Sequence, residues 1–129
     1  MDQELFAAAM SARQNAYAPY SKFAVGAAVR TMDGTIFTGC NIENASYSLS
    51  ICAERVAIFS AISRGYFDLA VLCVVADTAE PVAPCGACRQ VMLEFNIKEV
   101  LLTNCAGAWK KMKISELLPV SFGPEALEK

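Results

Sequence analysis

The sequence predicts an α/β fold, and three observations predict it. Leu69 to Ala76 is an unbroken apolar run with several β-branched residues. It is too short for a typical helix and reads as a central strand buried on both faces. Phe23, Val25, Ala27 and Val29 alternate with small residues, and Asp33-Gly34 then marks a hairpin turn before a returning strand from Thr35 to Ile42. Around these strands lie stretches with apolar residues at helical spacing, so the elements run α-β-β-α-β-α-β before a less regular tail.

The first helix is expected from about Asp2 to Ala16, where Leu5, Ala9, Ala12 and Ala16 share one face, and Ala18-Pro19-Tyr20-Ser21 breaks it. A polar loop from Glu43 to Ser50 leads to a second helix from Cys52 to about Ser63, with Gly65 just past its end as a left-handed cap. The third helix starts near Cys85 and runs to about Phe95, with Asn96 as its cap. Val100 to Thr103 is a further buried strand, Trp109 to Ile114 a short edge strand, and Ser115 to Leu118 a final helical turn. Right-handed crossovers place the second and third helices on the same side of the sheet, where their N-termini converge. No repeat, linker or low-complexity segment interrupts the chain, and residues 1-129 are expected to form one domain.

Composition narrows the class of function. Hydrophobic residues make up 55% of the chain against 19% charged, apolar for a soluble monomer, so surface buried between subunits is expected. No apolar run is long enough to span a membrane, and no membrane partner is expected. The acidic start Met1-Asp2-Gln3-Glu4 is unlike a signal peptide, and a cytoplasmic protein is expected. The net charge is −2 and the one basic cluster, Lys110 to Lys113, is short. Nucleic-acid binders usually carry a basic stripe, so no nucleic-acid partner is expected and a small neutral substrate fits better.

Six cysteines and no histidine set the chemistry. Cys85 and Cys88 form a C-x-x-C pair at one helix start, and Cys52 opens another, with Glu54 two residues on. The cysteines alone admit a catalytic zinc, a structural metal, a redox pair or plain core thiols. A structural zinc needs a fourth protein ligand, whereas a catalytic one leaves that position to water. The nearest spare, Cys73, lies inside the apolar strand, and Cys40 and Cys105 read as core thiols too. Glu54 is either a first-turn acid facing the helix dipole or a carboxylate beside a metal-bound water, and its position favours the second reading. Three thiolates on Zn²⁺ leave a net negative site, which two helix N-termini would offset, with Arg55 as a further cation or simply a surface arginine.

Cys52-Ala53-Glu54 followed by Pro84-Cys85-Gly86-Ala87-Cys88 resembles the all-cysteine form of the zinc nucleoside deaminase signature. Ala18 to Phe23, Gly39 to Tyr47, Arg89-Gln90, and Glu116 to Pro119 with Phe122-Gly123-Pro124 are similar to the small homotetrameric cytidine deaminases. The likeness runs nearly end to end. It implies a three-layer α/β/α sandwich with a mixed sheet of about five strands. It also implies hydrolytic deamination of cytidine and deoxycytidine, part of pyrimidine salvage, with one zinc ion per chain held by Cys52, Cys85 and Cys88 and with Glu54 as the proton shuttle for attack of zinc-bound hydroxide at C4.

The substrate-binding residues follow from the same resemblance. The family's counterparts of Asn41 and Glu43 bind the ribose 3′-hydroxyl, and two residues apart at a strand end they project to one face. A turn-forming Asn and a solvated Glu remain the alternative. Phe23, by default a core strand residue, matches one that lies against the pyrimidine. Ala45 and Tyr47 match residues at the ribose end, partly supplied by a neighbouring subunit, and Phe122 matches one that reaches across an interface to stack on the base. The Pro84 carbonyl matches one that accepts from the departing amine, and Arg55 would tune the charge of the site. The resemblance therefore implies active sites shared within a homotetramer. A deaminase of a nucleoside antibiotic such as blasticidin S, or a zinc-stabilised interaction module without catalysis, are the other readings of the metal motif. Charge and size disfavour an RNA or DNA editor.

Overall fold

The computed structural model describes residues 1–128. Its elements are α1 Gln3–Arg13, β1 Val25–Thr31, β2 Ile36–Cys40, α2 Ala53–Ser63, β3 Leu69–Ala76, α3 Gly86–Glu94, β4 Glu99–Asn104, β5 Trp109–Lys113 and α4 Ile114–Leu117. Short 3₁₀ turns at Tyr47–Leu49 and Pro124–Leu127, which hydrophobic periodicity did not reveal, complete them. The five strands form one mixed sheet in the order β2-β1-β3-β4-β5. β1 is antiparallel to both its neighbours, and β3 runs parallel to β4.

The pleat of β1 and β3 divides the core into two layers. Ala27, Val29, Leu72, Val74 and Ala76 face one side, where Ala57, Ile58 and Ala61 of α2 and Cys88 and Met92 of α3 pack against them. Ala28, Cys73 and Val75, the residues between, face Leu5 and Ala9 of α1. This alternation is what a sheet covered on both faces requires. β2 and β3 are parallel across β1, and the chain steps the same way across the sheet from β2 to β3 and from β3 to β4. Crossovers of one hand therefore put α2 and α3 on one face, as expected.

Two boundaries differ from those that periodicity predicts, for the same reason. α1 stops at Arg13 instead of continuing to Ala16, because the Tyr17 N–H is taken by the Asn41 carbonyl and the Tyr17 carbonyl by the Glu43 N–H. β1 starts at Val25 instead of Phe23, because the Asn41 side chain accepts from the Val25 N–H at 2.9 Å and donates to the Phe23 carbonyl at 2.7 Å. A side-chain amide thus replaces a strand neighbour, and Phe23 leaves the sheet half-exposed instead of entering the core. β3 spans the residues that its apolar run predicts, and Gly65 has the left-handed φ of 86° that its cap position requires.

The seating of α2 on β2 depends on one missing side chain. A Cβ on Gly39 would lie 2.5 Å from the Ala57 nitrogen and 2.6 Å from the Ala53 carbonyl oxygen, both main-chain atoms that cannot rotate away. Gly39→Ala is therefore expected to lift α2 from the sheet and cost about 1–3 kcal/mol, as overpacking does, read as a lower urea midpoint. Gly86→Ala, whose Cβ would meet nothing within 4 Å, is expected to leave that midpoint nearly unchanged or to raise it.

Candidate metal centre and active site

Cys52 and Cys85 are the N-cap residues of α2 and α3, each with extended backbone and neither using its side chain to cap the helix. Their sulfurs are thereby free to point at each other. Cys88 lies one turn into α3, below Cys85. The Cys52 and Cys85 sulfurs are 3.7 Å apart and those of Cys85 and Cys88 3.5 Å apart, and all three lie within 4.8 Å of one another. Tetrahedral zinc with bonds of about 2.3 Å sets its sulfurs ~3.8 Å apart, so the three fit as three corners of that tetrahedron. Among the described residues no histidine or carboxylate joins the group. Cys73 is excluded as a fourth ligand, since it sits on the α1 side of the sheet and burial pushes its thiol up to about 11.

As protein groups alone, the thiols of Cys52 and Cys88 ionise unevenly. A hydrogen bond from Cys88, helped by Arg55, lowers Cys52 to about 5, while the bond to Cys52 and burial push Cys88 well up. A divalent cation is the group that allows adjacent sulfurs to be thiolates together. Arg55 donates from Nη2 to the Cys52 sulfur at 3.4 Å, and this thiolate contact raises its pKa. It is not a free surface arginine, because its Nε is buried, with no hydrogen-bond partner among the described residues.

Glu54 occupies the second residue of α2 and is 4% exposed. Burial raises its carboxyl to about 7, against smaller opposing hydrogen bonds and the Arg55 charge. It opens onto a cavity of about 300 Å³ whose walls include Cys52, Cys85, Phe23, Asn41 and Glu43. Two sulfurs, a buried carboxyl, an aromatic ring, an amide and a second carboxylate thus share one chamber, large enough for a small organic molecule. Glu43 is fixed at its mouth by the main-chain N–H groups of Tyr20 and Ser21, at 3.0 and 3.1 Å, and by the Ser21 hydroxyl. The Ser21 hydrogen bonds hold its carboxyl below the usual range.

The other residues singled out in the sequence lie outside that chamber. Tyr47 lines an adjoining depression with Tyr20, Ser21, Glu43 and Ser50, and its ring stands 5.9 Å from that of Tyr20. Ala45 is exposed. Pro84 is buried, and its carbonyl accepts from Arg89 Nε at 2.9 Å. Phe122 is 62% exposed, with its carbonyl held by Gln90 Nε2 at 2.7 Å. Ser21, Ile51, Val82 and Ala83 also line the chamber without having been singled out as contacts. For Ser21 the signal lay in the Tyr20-Ser21-Lys22-Phe23 stretch, whereas the apolar three carry none that distinguishes them from core residues.

Residues 1–116 match the family model described as the cytidine and deoxycytidylate deaminase zinc-binding region. A protein of Sporosarcina psychrophila named cytidine deaminase is 51% identical over 97% of this chain and 93% of its own. The crystal structure of a cytidine deaminase from Burkholderia pseudomallei superposes with a TM-score of 0.91 at 52% identity, covering 95% of this chain and 99% of the other. That of a cytidine deaminase from Mycobacterium tuberculosis does so with a TM-score of 0.82 at 40% identity, over 95% and 98%. With a likeness that spans nearly the whole chain at both the sequence and the fold level, the chain belongs to the zinc-binding cytidine and deoxycytidylate deaminase family.

Proposed function

We propose that the protein hydrolyses cytidine and deoxycytidine to the uridine forms with release of ammonia, the whole chain acting as one catalytic domain. One observation carries the reading: two of three clustered sulfurs, and a buried carboxyl, open onto a chamber walled by Phe23, Asn41 and Glu43. When bound by Cys52, Cys85 and Cys88, zinc supplies a Lewis acid that acidifies water near neutral pH. Glu54 takes a proton from the attacking water and passes it to N3 of the pyrimidine, then takes the proton of the new C4 hydroxyl and delivers it to the amine, which leaves as ammonia. Burial keeps that carboxyl away from bulk water, so protons move between it and the substrate. Phe23 packs against the base, and Asn41 and Glu43 receive the sugar hydroxyl. The Pro84 carbonyl accepts from the leaving amine. Arg55, already bonded to the Cys52 sulfur, offsets thiolate charge.

The same reading makes the active enzyme a homotetramer with shared sites. Supporting it, Tyr20, Phe23 and Tyr47 are exposed on the monomer around the chamber, and Phe122 is exposed on the C-terminal segment. Phe122 then stacks on the base in a neighbour's site, and Ala45 and Tyr47 meet the sugar end near that interface. A cytoplasmic place in pyrimidine salvage is consistent with six cysteines that form no disulfide among the described residues. No helix of the described residues is long and apolar enough to cross a membrane.

Loss of cytidine absorbance together with ammonia release by the purified protein tests the activity directly. X-ray absorption at the zinc edge is expected to show three sulfurs and one light-atom ligand. A nitrogen-rich shell or four sulfurs would overturn the open-site assignment. Glu54→Gln is expected to retain zinc and fold while losing about 10²–10⁴ in turnover. Loss of the metal as well would make Glu54 structural. Mixing Glu54→Gln with Phe122→Ala under conditions of subunit exchange distinguishes a shared site from a self-contained one. If Phe122 serves a neighbour, equal random mixing restores roughly a quarter of the sites in a closed oligomer. No recovery after exchange verified by mass spectrometry would place Phe122 in its own chain's site or outside it.

A further inference from the structure

The Ser21 hydroxyl stands between two walls of the chamber. It donates to Glu43 Oε2 and accepts from the Phe23 N–H at 3.0 Å. Ser21 and Tyr20 also give their own main-chain N–H groups to Glu43 Oε1. Between Ser21 and Phe23 the chain passes through Lys22 with φ of 61°, a left-handed conformation that a non-glycine residue adopts only when its surroundings demand it. The demand is visible on both sides. The Lys22 N–H is held by the Ala18 carbonyl at 3.0 Å, and the Phe23 carbonyl is held by the Asn41 amide at 2.7 Å. One hydroxyl therefore ties the carboxylate of β2's exit to the main chain that presents the aromatic ring, across 22 residues of sequence.

We infer that Ser21 is a positioning residue for sugar recognition, holding Glu43 and Phe23 in one fixed relation so that a sugar hydroxyl and a base are gripped together. This rests on the reading above, in which Glu43 receives the sugar hydroxyl and Phe23 the base. A carboxylate at the mouth of an open chamber has free rotation as its default, and rotation that must be frozen on binding weakens binding. Three donors on Glu43 remove that freedom in advance. They also leave the carboxylate as an acceptor whose remaining lone pair is directed instead of averaged. Hydrogen bonds to a charged group carry more than neutral ones. Ser21 touches neither sulfurs nor Glu54 in this network, so its effect falls on substrate affinity and on discrimination by the sugar, not on the chemical step.

The test compares cytidine with 2′,3′-dideoxycytidine, which lacks the hydroxyl. In the wild-type protein, cytidine is expected to have the higher kcat/KM. Ser21→Ala is expected to raise KM for cytidine roughly tenfold or more, the scale of one hydrogen bond to a charged group, with kcat for cytidine little changed. The same substitution should lower kcat/KM for the dideoxy substrate much less, because only the hold on Phe23 is lost there, so the ratio between the two substrates falls. Ser21→Thr, which keeps the hydroxyl, should restore the ratio. Ser21→Cys, close in size but a weak donor, should fall between, and it replaces Ser21→Ala should that variant not fold. An unchanged ratio, or equal losses on both substrates with a lowered Tm, would overturn the role of Ser21 and reduce it to loop stability. A wild-type protein that deaminates cytidine but does not prefer it to the dideoxy substrate would instead overturn the sugar reading of Glu43 itself.

Discussion

The contact of α2 with β2 at Gly39 leaves no room for a side chain, and the position of the metal centre follows from it. Cys52 caps α2, so wherever the helix backbone sits, the first sulfur sits. Close approach of helix and strand main chains removes the slack that a larger residue would introduce. α3 reaches the same face of the sheet through the β3-α3-β4 crossover, with Cys88 and Met92 in the core that α2 also occupies. Two helices on one face, entered in the same sense, bring two N-termini to one place. The sulfur cluster is thus a consequence of topology.

That convergence also addresses the charge of the site. Three thiolates on one divalent cation leave an excess negative charge, which weakens the cation as an acid. Each helix start contributes partial positive charge to the sulfurs beside it. The Arg55 guanidinium adds a full charge 3.4 Å from Cys52. Two helix starts and one arginine thus place positive charge around a sulfur cluster that has no histidine. The same burial that lets these dipoles act keeps the carboxyl of Glu54 near neutrality, up at about 7, between its two protonation states.

The opposite wall of the chamber is built by different means. Between Tyr17 and Val25 the chain has no regular structure, yet both ends and its middle are tied down. The Asn41 amide and carbonyl hold Val25, Phe23 and Tyr17, while Glu43 holds Tyr20 and Ser21. Two polar side chains leaving β2 therefore shape a loop more than fifteen residues earlier in the chain. They also explain why the aromatic ring at Phe23 faces the chamber and not the hydrophobic core.

Where a pattern repeats along the chain, the sequence alone determined the outcome. The eight-residue apolar run became β3 residue for residue, and Asp33-Gly34 turned the hairpin. The three clustered cysteines were legible as well, because metal chemistry restricts both residue type and spacing. What only the tertiary structure decided are the places where a side chain competes with the backbone for a hydrogen bond. Asn41 ended strand pairing at Val25, Tyr17 was recruited by Asn41 and Glu43 so that α1 stopped early, and Ser21 came to bridge Glu43 and Phe23. Arg55 is the same case, since spacing alone left solvent open to its guanidinium as an alternative to the Cys52 sulfur. Periodicity reports which face of an element is apolar. It carries no information on which distant donor finds which acceptor, because that depends on how far apart the folded elements bring them.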